Sequence, residues 1–212
     1  HGAFFAIGGY TSALLTTRDL GGHLPTAWRA FCLRAGVLQT RQDLYGAELA
    51  SLSPWLACLI ALALAAAIAV VVGFPTLRLR GQYLAMGTLG FGLIVYRVLL
   101  GTEWLGGADG VVSVPPWRLV GGLEITGGRA HRVGNYYIAW SVAGLVLILV
   151  LNLTHSRVGR ALRSIHGGER AANAMGIDTA STKLKTFMLS AVLAALAGSL
   201  LRDARKHAVR PS

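Results

Sequence analysis

Five stretches of the chain carry no Asp, Glu, Lys or Arg: residues 1–17, 53–77, 81–96, 133–156 and 186–201. The second and fourth exceed the roughly 20 apolar residues that a helix needs to cross a bilayer, and the other three lie near the lower limit. The shorter ones fit a membrane with little tilt and with flanking Arg and Lys side chains reaching to the headgroups, or as partly broken helices. One short apolar run alone would equally suit a buried core helix, but five of them in 212 residues weigh against that. The pattern predicts helices over about 2–17, 54–77, 82–101, 135–154 and 184–201, in an all-α, polytopic, integral membrane protein whose membrane domain spans 1–201.

Composition agrees. Of all residues 54% are hydrophobic and 14% charged, against about 25% charged in soluble domains. The net charge of +11 raises the question of nucleic acid. The basic residues sit at the ends of apolar runs, and no zinc spacing, RNA-binding signature or basic heptad array accompanies them, so nucleic acid is not expected as a partner. Cys32 and Cys58 have neither metal nor redox spacing and read as free thiols.

Charge also orients the chain. Residues 155–185 hold Arg157, Arg160, Arg163, Arg170, Lys183 and Lys185 against Glu169 and Asp178, which places this loop in the cytoplasm. The link "LRLRG", with Arg78 and Arg80, falls on the same side. Segment 102–134 balances Arg118, Arg129 and Arg132 against Glu103, Asp109 and Glu124 and suits the outside. There "GGADG" reads as turns and Pro115–Pro116 excludes helix. Alternation leaves 18–53 outside, where "TAWRAFCLRAGVL" is expected as a short interfacial helix with Trp28, Phe31 and Leu33 near the headgroups.

Small residues crowd two runs, "AIGGYTSA" and "GTLGFG". Glycine costs about 1 kcal/mol against alanine in a soluble helix, yet in a membrane it lets backbones approach closely. Close packing is the simpler reading of any one glycine. Broken helices that line a cavity are the alternative, and Gly8, Gly9, Tyr10, Gly87, Gly90 and Gly92 are the candidates for lining a translocation path.

Catalytic signals are missing. The chain holds no Walker A pattern, no G-x-S-x-G and no H-E-x-x-H, so neither ATP nor another cofactor is expected on it. The six histidines are scattered, and a metal cluster is not expected. No run carries the intramembrane carboxylates that an ion-driven transporter would use. What remains is the basic segment "SRVGRALRSIHGGERAANAMGI". Val158, Ala161, Leu162 and Ile165 recur at helical spacing with Arg160 and Arg163 on the other side, so 156–165 predicts a short amphipathic helix. "HGG" breaks it, "ERAANAM" forms a second helix, and Gly176 ends that one. A lipid anchor at the headgroups needs only charge. A helix pair with small residues at Ala171, Ala172 and Ala174 has a face that allows close approach to a partner, and Glu169 stands in the helix's first turn with an Arg of the partner within its reach.

"ERAANAMGI", with Glu169, Ala171, Ala172 and Gly176, resembles the cytoplasmic coupling loop of ABC importer permeases. "HGAFFAIGGYTSALL", "GFPTLRLRGQYLAMGTLGFGLIV", "GGADGVVSVPP" and the stretch from "SRVGRALRSI" to "LAGSL" resemble permease subunits of the branched-chain amino-acid uptake system, over about 1–17, 73–116 and 135–200. Gln82 and Leu93 stand where that family often has acids. The resemblance implies a non-enzymatic, multi-pass subunit of the bacterial inner membrane that imports leucine, isoleucine, valine or related apolar amino acids. Its implied partners are cytoplasmic ATPase subunits, a second permease subunit, a periplasmic substrate-binding protein and membrane lipid. Permeases for urea and short amides belong to the same family and are the alternative, as is an inactive truncated fragment. The opening at His1 within an apolar run reads as a fragment, and "LRDARKHAVRPS" (residues 201–212) stands where further helices are expected. Residues 202–212, with Arg202, Arg205, Lys206 and Arg210 against Asp203, read as a tail foreign to the membrane domain.

Overall fold

In a computed structural model the structure describes residues 1–17, 38–42, 48–76, 82–102, 117–118, 124–125 and 132–204. Seven helices are found among them: α1 Gly2–Thr17, α2 Pro54–Thr76, α3 Gln82–Gly101, α4 Arg132–His155, α5 Arg157–Gly167, α6 Glu169–Ala174 and α7 Thr179–Ala204. Two small antiparallel strand pairs accompany them. Strand β1 (Leu38–Gln42) pairs antiparallel with β2 (Glu48–Leu52), Leu38 opposite Leu52 and Gln42 opposite Glu48, and β3 (Trp117–Arg118) pairs with β4 (Glu124–Ile125). Each of the five apolar helices and the two short ones has its counterpart in the pattern, though α5 runs on through His166 and Gly167 and breaks only at Gly168, and the architecture is that of an all-α membrane protein. The expected interfacial helix lies outside the described residues, except that Leu38 at its end opens β1. "LRLRG", "GGADG", Pro115–Pro116 and residues 205–212 of the tail also lie outside them. The backbone stays helical through Ala204.

Helix α7 begins at Thr179, earlier than the apolar pattern predicts. The reason is a cap. Asp178 Oδ1 accepts the Ser181 N–H at 3.1 Å, and the Asp178 carbonyl accepts Thr182 N–H at 3.1 Å. The polar first turns extend a helix whose apolar body starts later. Among the described residues three helices are long and apolar enough to cross a membrane: Pro54–Thr76, Val133–His155 and Thr179–Leu201. With its 20 residues α3 reaches about 30 Å at 1.5 Å per residue, and the 16-residue α1 about 24 Å.

The core is made of small side chains. On α2, Ala57, Ala61, Ala65 and Ala69 recur every fourth residue, each fully buried, and Gly73 continues the row. On α7 the row is Ala191, Ala195 and Ser199, and on α1 it is Gly8, Ser12 and Thr16. Rows at i, i+4 form one ridge along a helix, and small residues on it let backbones come together. They do so at α1 and α7. A Cβ placed on Gly8 would collide with the Ala195 carbonyl, and one on Gly198 with the Phe5 carbonyl. Gly9 lies so close that a Cβ there would stand 3.1 Å from the Gly198 oxygen. Hydroxyls in the spans are satisfied within their own helices: Thr16 donates to the Ser12 carbonyl at 2.9 Å, Thr76 to Val72 at 2.7 Å and Ser199 to Leu196 at 2.8 Å.

The contacts fix relative direction. Phe4 meets Phe187 and Gly8 meets Ala195, so α1 and α7 run the same way. Gly73 faces Leu184 and Phe187 while Cys58 meets Ser199 at 3.5 Å, so α2 runs against α7. Phe91 and Val95 of α3 pack on this three-helix unit, and Ile138 near the start of α4 packs on Cys58, as Leu62 and Leu200 do. Most of α4 faces outward: no residue of its apolar span is buried, and Leu145 and Ile148 are each about two-thirds exposed, at 65% and 69%. Tyr136, Tyr137 and Trp140 cluster edge-to-face within its first turns, the arrangement of an aromatic belt at a membrane interface.

Overpacking a tight contact costs about 1–3 kcal/mol. Gly8→Ala and Gly198→Ala are therefore expected to destabilise the protein by that amount in reversible unfolding from mixed micelles. Gly90→Ala, where a Cβ meets nothing within 4 Å, is expected to leave stability unchanged within error.

Candidate functional site

Two features answer to the residues singled out in the sequence: the loop from α4 to α7, and a cleft between α1 and α3. The loop begins with a sharp corner. Ser156 ends α4 and starts α5, its Oγ donating to the Leu153 carbonyl at 2.6 Å and accepting Gly159 N–H at 3.5 Å. Gly159 is buried against α4, and a Cβ there would collide with the Thr154 carbonyl. Arg163 donates to that same carbonyl at 3.1 Å, which satisfies one of the unpaired acceptors at the end of α4. Sequence reasoning missed Gly159, although a glycine three residues past an N-cap serine was its available signal.

Helix α6 closes with a Schellman motif: Ile177 N–H donates to the Ala172 carbonyl at 3.1 Å and Gly176 N–H to Asn173 at 3.0 Å. Gly176 takes φ of 82°, a conformation natural only to glycine. Beyond it, Asp178 caps α7. The Ser181 backbone N–H, then the Ser181 hydroxyl, hold its carboxylate below the ordinary range, with Ala180 N–H and Lys185 adding to this against a small opposing effect of burial. A lowered folded-state pKa means that the cap is at full strength above the ordinary carboxylate pKa. It is lost as pH falls through the lowered value.

The structure places the loop residues differently from one another. Ala172 is 1% exposed and packs inside the loop, so it offers no face to a partner. Glu169 pairs with Lys183 of this same chain at 2.8 Å. Arg163 is tied to Thr154. Arg160, Arg170, Ala171, Ala174 and Gly176 are exposed, and among them stands Met175, 77% exposed. The exposed methionine went unremarked in the sequence, where it read as part of the helix. Its exposure follows from its place as the C-cap, at the tip where the chain turns.

The cleft has a volume near 1030 Å³. Phe4, Tyr10, Thr88, Phe91, Tyr96 and Phe187 line it, with Gly92. Phe4 stacks on both Phe91, at 5.5 Å between ring centroids, and Phe187, at 5.6 Å. Of the six candidates for a path, Tyr10 and Gly92 come together here. Gly8 and Gly9 lie instead in the α1–α7 contact, Gly90 is exposed and Gly87 half-buried. Gly8 and Gly9 therefore serve helix approach. Among the described residues no three His, Cys, Asp or Glu side chains are grouped to hold a metal ion.

Apolar helices with outward hydrophobic faces, joined by a compact basic corner of two short helices, define a polytopic membrane protein with a structured loop outside the bilayer. The chain belongs to the family described as permease components of branched-chain amino acid transport systems, whose model matches residues 1–208. It is 33% identical to the high-affinity branched-chain amino acid transport system permease protein LivM of Escherichia coli K12, over all of this chain and 47% of that protein. Identity to the protein of the same name from Salmonella typhimurium LT2 is 32%, with the same coverage. The inner membrane ABC transporter permease protein YjfF of E. coli K12 is 37% identical over 39% of this chain and 22% of its own length. The chain spans about half the length of the LivM proteins it matches. No solved structure matches it.

A side chain at a left-handed glycine costs about 1 kcal/mol or more. Gly176→Ala is expected to speed hydrogen exchange at the Gly176 and Ile177 amides several-fold, while Gly167→Ala, with open space at its Cβ, is expected to leave those amides unchanged.

Proposed function

We propose that the chain is a permease subunit of an ATP-driven importer that carries branched-chain amino acids inward across the bacterial inner membrane. The tip of its loop of α5 and α6, at Met175, is the contact for a cytoplasmic ATPase subunit. A second permease subunit completes the path, a periplasmic binding protein delivers substrate, and anionic lipid headgroups meet the basic residues of α5. The chain itself is not an enzyme in this reading, and its cleft beside Tyr10, Tyr96 and Gly92 is part of the path.

The observation that carries the reading is Met175. It stands 77% exposed at the tip of a corner that is otherwise hydrogen-bonded within itself. Exposed Ala174 and Gly176 adjoin it in sequence, with Ala171, Arg160 and Arg170 exposed on the same loop. An apolar anchor on a loop that also exposes small side chains and cations fits a protein pocket with an apolar floor and acidic rim. A lipid anchor would need the cations alone. The chain carries no phosphate-binding loop of the Walker type, so energy reaches it by contact. Family membership supports the same reading.

Met175→Glu is expected to lower co-purification of the ATPase subunit about tenfold or more, as loss of a central anchor does, with membrane insertion unaltered. ATPase recovery at the wild-type level would overturn the docking. Orientation has its own test. A cysteine at Gly168 is expected to react with an impermeant maleimide in inverted vesicles and to stay unreacted in intact cells; labelling from outside would reverse the topology.

A further inference from the structure

The loop meets α7 through two side-chain pairs of regular spacing. Glu169 and Asn173 are four residues apart on α6, and Thr179 and Lys183 are four apart on α7. Lys183 Nζ reaches Glu169 Oε1 at 2.8 Å, and Thr179 Oγ1 donates to Asn173 Oδ1 at 3.0 Å. The result is an antiparallel ladder of two rungs across the corner, since side chains four apart share one face of a helix. Thr179 is 4% exposed while its partner Asn173 is exposed, so that rung is closed to water on the α7 side only, and the Glu169–Lys183 rung is half-open. The covalent link between the two helices is only Met175 to Asp178, and it contains the left-handed Gly176. Such a link, without side chains bridging it, is a pivot.

Above the ladder α7 leads directly to the cleft. Phe187 is one turn beyond Lys183. With Leu184 it presses on Gly73, where a Cβ would lie 3.0 Å from its ring and 2.9 Å from Leu184 Cδ1. Its own ring meets Phe4, which meets Phe91, and all three line the cleft. Two turns further, Ala195 and Gly198 touch the backbone of α1. Packed contacts of this kind shift as units.

We propose that the Glu169–Lys183 and Asn173–Thr179 ladder locks α6 to the base of α7, so that movement imposed on the loop is carried along α7 to the Phe4–Phe187–Phe91 wall of the cleft. This rests on the reading of the loop as an ATPase contact. Glu169 and Lys183 are positioning residues in it: they transmit the push and touch neither the partner nor the substrate.

The test uses the assembled importer in proteoliposomes, with E169K, K183E and the double variant carrying both. Each single reversal is expected to retain the ATPase subunit on co-purification while uptake per ATP hydrolysed falls about threefold, the scale on which a half-exposed pair acts. The double variant is expected to restore the ratio. A purely structural role would lower both activities together and leave the ratio unmoved. Spin labels at Ala171→Cys and Lys185→Cys, with Cys32 and Cys58 replaced by alanine, give a second readout on the chain alone. The distance distribution is expected to broaden in each single variant and narrow again in the double. An unchanged ratio with ATPase bound, or an unchanged distribution, overturns the proposal. So does loss of the ATPase in the single variants, because Glu169 or Lys183 would then touch the partner. If the unaltered chain binds no ATPase, the docking reading itself fails, and the distance arm still decides whether the ladder locks the corner.

Discussion

The fold depends on one backbone contact. Where Gly8 and Gly9 of α1 meet Ala195 and Gly198 of α7, no side chain separates the two helices. In lipid, apolar burial does not drive helices together, since hydrocarbon surrounds them in either state; dispersion contacts between closely fitted surfaces do. Every rung added by the alanine row of α2 and the Ala191–Ala195–Ser199 row of α7 tightens that fit. Large hydrophobic residues are consequently displaced to the outside, as on α4, where the surroundings accept them. This reverses the soluble pattern of large side chains within and polar ones without.

Much of this was legible, because membrane helices declare themselves by missing charge. The end of Gly2–Thr17 was readable from Arg18, the start of α3 at Gln82 from the "LRLRG" flank, and Gly176 from its place after "ERAANAM", while α3 runs on past Arg97 to Gly101. The start of α7 was not, since "DTASTKLK" is polar and only the Asp178 cap makes it helix. The β1–β2 hairpin was hidden too: "LQTRQ" and "ELASL" are short and weakly patterned, and their pairing is a contact between segments.

For the site, sequence named the right loop but not the role of each residue in it. Periodicity tells that Glu169 and Ala172 lie on a helix. It does not tell that one finds Lys183 and the other turns inward, because both facts depend on where α7 comes to lie. Likewise the glycines of "AIGGYTSA" and "GTLGFG" look alike in sequence, yet the first pair abuts another backbone and Gly92 opens on a cleft. A glycine's meaning in a membrane helix is set by its neighbour.

These two levels meet in α7. Its base is held by polar side chains, which are stable only where water or a hydrogen-bond partner is present. Beyond the base it carries the ring of Phe187 against the cleft, and its far part carries small residues against α1. Each part of the helix therefore uses the chemistry permitted at its depth. A helix with satisfied internal hydrogen bonds bends little over a few turns. Displacement at the polar base must therefore be taken up at the cleft or at the α1 crossing. The crossing is backbone on backbone and has no side chain to yield, whereas the cleft beside Phe187 is open space. The wall of the cleft is the part of this fold with room to move.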